Sequence, residues 1–266
     1  MPNSALFVLL FGFLVPHLAA AAALRVCADP NDLPFSNRAD GGFENKIAQL
    51  IAADLGETVE YTFAAQHQTF IERTLNAGQC DVVMSVPVGL DEVDETAPYY
   101  RSTYVFVSRA QDGPPITSLT DPRLRALRIG VHLIGDGDAP PEIALGEEGI
   151  VANVRGYMIY GDYAQPDPPA RLVEAVANHQ IDVAVVWGPI GGYFARRSPV
   201  KLTITPITDT ERFAPLAFSY SIAIGVRKGD AMREVLNKEL KRRKAEIGDI
   251  LRLYGVPLAD LGGKDG

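Results

Sequence analysis

One short stretch of the chain gathers a carboxylate, an aromatic ring, a hydroxyl and an amide: Asp29, Phe35, Ser36 and Asn37. Groups of this kind hold a small molecule through hydrogen bonds and ring contact, and they include no nucleophile-and-base motif, so the chemistry they suggest is binding. Asp29 is equally readable as turn chemistry, because Asp-Pro-Asn-Asp favours a tight bend. A second set lies further along: Ser85 and Pro87 in SVPVGL, Tyr99 and Tyr100 in PYYRSTYVFV, His132 in LRIGVH and Trp187 at the end of IDVAVVW. Trp187, the only tryptophan, reads either as a stacking or docking platform or as a ring sealing a core. Tyr99 and Tyr100 are expected to point to opposite sides of an extended segment. Glu44 opens a helical run, where the helix dipole stabilises an acid, so it reads as a helix start rather than a site group. Glu44 and His132 are the only residues that can be nominated for acid–base work, and no spacing pairs them. His67, His132 and His179 show no metal-ligand spacing, and no cofactor fingerprint follows any strand. Gly135-Asp136-Gly137 lacks the glycine spacing of a nucleotide loop and reads as a flexible cleft loop.

The elements around these residues explain why they converge. Leu24 to Ala28 reads as a strand, and Phe43, Ile47, Leu50, Ile51 and Leu55 follow helical spacing, so the first polar set lies beyond a strand's carboxyl end. In open α/β sheets that is where ligands bind. A strand from Thr58 to Ala64, a helix from Thr69 to Ala77 stopped by Gly78, and a strand from Cys80 extend the pattern into a parallel sheet. The segment 97–109 leaves this sheet. A fresh α/β pattern follows, with strands at Leu127, Val154 and Ile181 and a helix from Ala170 to Asn178. A strand-like run, Tyr220 to Val226, and a charged amphipathic helix from Ala231 to about Ile247 then return to the first half. The expectation is a hinged clamshell of two α/β lobes joined by two crossovers. Its divisions are a leader over 1–23, lobe one over 24–107 and 219–266, and lobe two over 108–218.

With 266 residues, 47% of them apolar, the chain can build such cores. A net charge of −8 with no clustered basic patch before Lys238 to Lys244 argues against a nucleic-acid surface, and that KELKRRK run reads as a solvated helix face or as charge compensation at a helix C-terminus. Ala5 to Val15 is apolar and ends in small residues at Ala21 to Ala23, the pattern of a cleavable secretory signal peptide. Export to an oxidising compartment permits a disulfide between Cys27 and Cys80 if the first and third strands are neighbours; two independent buried thiols are the alternative.

The strings CADPNDLPFSN, GFENKIA, TLNAGQCDVVMSVP, PYYRSTYVFV and IDVAVVW resemble periplasmic solute-binding proteins. More narrowly, they resemble the MoxJ/XoxJ family associated with quinoprotein alcohol dehydrogenases. The resemblance implies a periplasmic-binding-protein-like (type II) clamshell. It also implies a non-catalytic role beside a periplasmic dehydrogenase that uses pyrroloquinoline quinone, and that enzyme's cytochrome c, with no cofactor of the chain's own. Amino-acid binders of this fold place an Arg after the third strand and an acid after the second-lobe strand. Here Ser85 to Glu92 holds no Arg or Lys, and the other position is Trp187-Gly188-Pro189. A zwitterion would be buried without partners, so the cleft is expected to take a neutral, partly aromatic solute or to dock a protein through Phe35 and Trp187.

Overall fold

The computed structural model describes residues 22–133, 139–160 and 164–261. The leader reading falls almost wholly on residues before 22, and Gly135-Asp136-Gly137 falls on the first gap, so both lie outside the described residues.

The chain opens with β1 (Ala23–Ala28), whose side chains alternate between two cores. Leu24 and Val26 face the main core, while Cys27 faces a smaller one with Phe70 and Leu75. A two-residue hairpin follows, β2 (Asn31–Asp32) against β3 (Ser36–Asn37), and then α1 (Phe43–Leu55). Phe43, Ile47 and Ile51 recur at every fourth position and are fully buried against the sheet, which stabilises by about 2 kcal/mol for each aliphatic side chain. The hairpin lies across the helix start: Phe43 N–H donates to the Pro34 carbonyl (2.8 Å) and Glu44 N–H to that of Phe35 (3.0 Å). Only glycine fits the cap, because a Cβ on Gly42 would stand 1.9 Å from the Phe35 carbonyl oxygen. This close approach fixes where Glu44 points.

Next come β4 (Thr58–Phe63), α2 (Phe70–Arg73), β5 (Val82–Pro87) and β6 (Asp94–Glu95). β1 pairs in parallel with both β4 and β5, placing Cys27 beside Val83 in register. Cys27 and Cys80 are joined as a disulfide with their Cα atoms 5.5 Å apart. The long β7 (Tyr100–Arg109) is the first crossover. Its first residues pair with β12 (Ser219–Val226) and the rest with β10 (Val183–Trp187) on one side and β11 (Leu202–Pro206) on the other. Beyond it lie β8 (Ile129–Leu133), α3 (Pro140–Glu147), β9 (Val154–Met158), α4 (Ala170–Ala177) and α5 (Gly188–Arg197); after β12 come α6 (Met232–Arg242) and α7 (Lys244–Leu253).

The strands run β4-β1-β5-β12-β7-β10-β8-β9, one curled sheet that passes through both lobes at β12 and β7. This is the two-lobed α/β clamshell expected from the sequence. β10 shows why its pattern reads as continuously apolar: Ala184 and Val186 face the main core while Val183 and Val185 face a second. No helix among the described residues is long and apolar enough to cross a membrane.

Local departures have physical causes. The Thr69 to Ala77 helix shrinks to α2, because the Thr74 hydroxyl donates to the Phe70 carbonyl and the chain tightens into turns. The terminal helix is two: it breaks at Arg243, whose guanidinium grips Asp54 on α1 at 2.6 Å, and Ile247 and Leu251 then re-enter the core. The KELKRRK run is accordingly only partly a solvated face, since Arg242 also pairs with Asp54. α5 has too much glycine to read as a helix. Its glycines serve contact instead, since a Cβ on Gly192 would lie 1.9 Å from the Gly255 carbonyl oxygen.

Candidate functional site

Between the lobes is a cavity of about 450 Å³. Lobe one supplies Asp32 from the hairpin, Phe35, Glu44 from the first turn of α1, and Ser85 and Pro87 from β5. The crossover strands supply Tyr100, Tyr104, Tyr220 and Ile222. Lobe two supplies His132 from β8, Pro140, Ile159, Tyr160, Trp187 and Ile190. No lysine or arginine lines it among the described residues, and residues 134–138 and 161–163 contain none either.

Two buried acids dominate its electrostatics. Glu44, 8% exposed, accepts a hydrogen bond from the Ser85 hydroxyl. Burial nevertheless outweighs that bond and pushes its carboxyl up to about 7. Asp32, 1% exposed, is held well above the usual carboxylate range, first by burial and then by the charges of Asp29 and Glu44. Its Oδ1 has no protein partner, and neither have the Tyr100 hydroxyl and His132 Nδ1. Burial drives His132 down to about 4, so the imidazole is uncharged at neutral pH; its Nε2 lies 3.4 Å from the Tyr104 hydroxyl. Trp187 is half-buried at the seam of the two large cores, edge-on to Tyr104 (5.3 Å) and Tyr220 (5.7 Å).

Of the residues singled out from the sequence, Phe35, Ser85, Pro87, Tyr100, His132 and Trp187 come together on this cavity. Asp29, Ser36, Asn37 and Tyr99 stand behind its walls. Asp29 accepts from the backbone N–H groups of Asn31 (2.8 Å) and Gln66 (3.0 Å), which is the turn role. Ser36 donates to the Asp29 carbonyl, and Asn37 accepts from Ala39 and Gly41 while its own N–H reaches Asn45. Tyr99 and Tyr100 do not split to opposite sides. Tyr99 precedes the strand, so strand alternation does not govern it; its hydroxyl donates to the Met84 carbonyl and its ring packs edge-on to Tyr100 at 5.0 Å. Phe35 is not an exposed anchor, being buried against Phe43 at 5.3 Å. Glu44 needs the opposite correction, because it begins the helix and lines the cavity at once. Asp32, Tyr104, Tyr160 and Tyr220 carried no site signal beyond Asp32's place next to Phe35 in the first loop. Among the described residues no group of three His, Cys, Asp or Glu is placed to hold a metal.

Fold and cleft define a two-lobed binding protein, and the chain belongs to the bacterial extracellular solute-binding proteins, family 3, whose pattern matches residues 24–255. Within that class it is 32% identical over 251 residues to Protein MoxJ of Methylorubrum extorquens AM1, covering 90% of this chain and 82% of that one. Its fold matches the crystal structure of the periplasmic binding protein XoxJ from Methylobacterium extorquens AM1, with 34% identity, a TM-score of 0.74, and coverage of 89% of this chain and 99% of that one. MxaJ from Methlophaga aminisulfidivorans MPT shares the fold at 24% identity and a TM-score of 0.76, covering 89% of this chain and 100% of that one. The MoxJ/XoxJ resemblance read from the sequence is borne out by these relatives.

Proposed function

We propose that this chain is a non-catalytic periplasmic accessory protein of a methanol- or alcohol-oxidising dehydrogenase that uses pyrroloquinoline quinone, exported by a cleavable signal peptide. The observation that carries the reading is the lining of the cavity in a chain of MoxJ kinship: among the described residues two buried acids and no lysine or arginine meet any ligand. An amino-acid carboxylate brought there would gain no bidentate partner and would face Asp32 and Glu44, at a cost of several kcal/mol. The protein therefore keeps the clamshell without the amino-acid site. Catalysis would need an acid and a base converging on one reacting group. Glu44 is bonded to Ser85, while His132 belongs to the other wall beside Tyr104.

The test is deletion of the gene in its native host. Quinoprotein dehydrogenase activity in the periplasmic fraction is expected to fall severalfold with the dehydrogenase polypeptide still present, and to return on complementation. Unchanged activity would overturn the reading. A second reading, an importer receptor for a small non-zwitterionic solute, draws support from a cavity of small-molecule size. It predicts instead a defect in uptake with dehydrogenase activity intact.

A further inference from the structure

We propose that the interlobe cavity binds a small organic cation without a carboxylate, an amine or methylated ammonium, held by Asp32 and Glu44 and enclosed by the rings of Tyr100, Tyr104, Tyr160 and Trp187. This goes beyond the accessory role, which requires no ligand, and stands or falls separately from it.

The first support is an unmet valence. Asp32 is 1% exposed, lines the cavity and has one carboxylate oxygen without a protein partner; Tyr100 OH on the same surface has none either. Buried carboxyls are expensive unless hydrogen-bonded or paired, and native structures leave few of them so. Here the charge of Glu44 adds to the charging cost of Asp32, and among the described residues no lysine or arginine lines the cavity to offset them. A ligand cation supplies both the missing charge and the missing donor.

The second support is the enclosure. The negative face of an aromatic ring attracts an ammonium group, the more strongly once water is excluded, and several rings share one compact cation well. The uncharged His132 on the far wall does not repel it. Anionic ligands are selected against by the same two acids. A sugar would also find acceptors in the acids, but it is gripped best by one broad ring face. Trp187 meets Tyr104 at 64° and Tyr220 at 68°, which makes a faceted enclosure rather than a flat platform.

The experiment is titration calorimetry of the mature, disulfide-bonded chain with tetramethylammonium, trimethylammonium and choline, compared with glycine betaine, glucose and glycerol. The expected result is saturable binding of at least one of the first three, with glycine betaine weaker by about tenfold because its carboxylate meets the two acids. Asp32→Asn should weaken that binding by about tenfold, and Trp187→Leu by several-fold, through loss of the ring rather than of volume. If Asp32→Asn does not fold, Glu44→Gln carries the same expectation. No heat from any of the ammonium probes, tighter binding of glucose or glycerol, or affinity indifferent to the acid substitution would each overturn the proposal.

Discussion

The two lobes contribute unlike walls to one cavity. Lobe one brings both carboxyls, and the strands behind them are stapled by the Cys27–Cys80 disulfide. Lobe two brings a neutral imidazole, Tyr160 and Trp187, with no cysteine anywhere in its sequence. Among the described residues the ionisable acids are thus concentrated in the covalently braced half, while the facing half offers uncharged, polarisable surface. The lesson is energetic: a wall whose described lining carries no charge gives up little hydration as it meets the other, whereas moving a carboxylate out of water would cost several kcal/mol.

The most forceful way to break this contrast is to remove the staple. Cys27→Ser with Cys80→Ser should lose about 4 kcal/mol in the chain-entropy model for a separation of 53 residues, read from the denaturant midpoint. A double variant as stable as the parent would mean that lobe one is no more rigid than lobe two.

Titration separates the walls by sign. Glu44 has a folded value of about 7, above its unfolded 4.5, so the fold binds the extra proton and stability drains as pH rises from 4.5 to 7. His132 has a folded value of about 4, below its unfolded 6.5, so stability drains as pH falls from 6.5 to 4. Each window carries about 3 kcal/mol. Relative to wild type, Glu44→Gln should therefore gain stability towards neutral pH and His132→Gln towards acid, in chemical unfolding at a series of pH values. Asp32 drains in the same direction as Glu44 and persists in both variants. Two variants with the same slope would refute the opposition between the walls.

Trp187→Ala should cost about 2 kcal/mol of thermal stability, below the loss for a fully buried ring, because Trp187 is only half-buried between Tyr104 and Tyr220. A larger loss, with dehydrogenase support unimpaired in the folded fraction, would make it a core residue alone. The smallest effect belongs to the contact between the hairpin and the far lobe. Asn31 Nδ2 donates to the Gln165 carbonyl (2.8 Å) and Asp167 N–H donates to Asn31 Oδ1 (3.2 Å). Asn31→Ala should shift the balance towards an open form by about 1 kcal/mol, visible as a larger radius of gyration in solution scattering.

The sheet was readable because its strands announce themselves by length and β-branching, and Cys27 and Cys80 because the parallel order of β1 and β5 follows from alternating strands and helices. Glu44 and Asp32 were harder for a shared reason. An acid in a first helical turn or a Pro-rich bend already has a local explanation, and only tertiary burial reveals a second role. Tyr160 and Tyr220 come from elements distant in sequence, so their convergence is a property of the crossover at β7 and of no local pattern. α5 was hidden because its glycines are chosen for close packing against the segment at Gly255, against their own helix propensity.

The clasp at Asn31 has an asymmetric sequence requirement. On the hairpin side it needs a short side chain that both donates and accepts, a description that an amide meets and a carboxylate does not. On the opposite side it is made of main-chain groups at positions 165 and 167, which every residue carries except for proline's missing N–H. Substitutions in the far loop can therefore accumulate without loosening the closure, while position 31 cannot drift. Relatives that differ freely around 165–167 but keep an amide at 31 would share the same closed geometry, and so the same strength of self-closure, whatever their cavities hold.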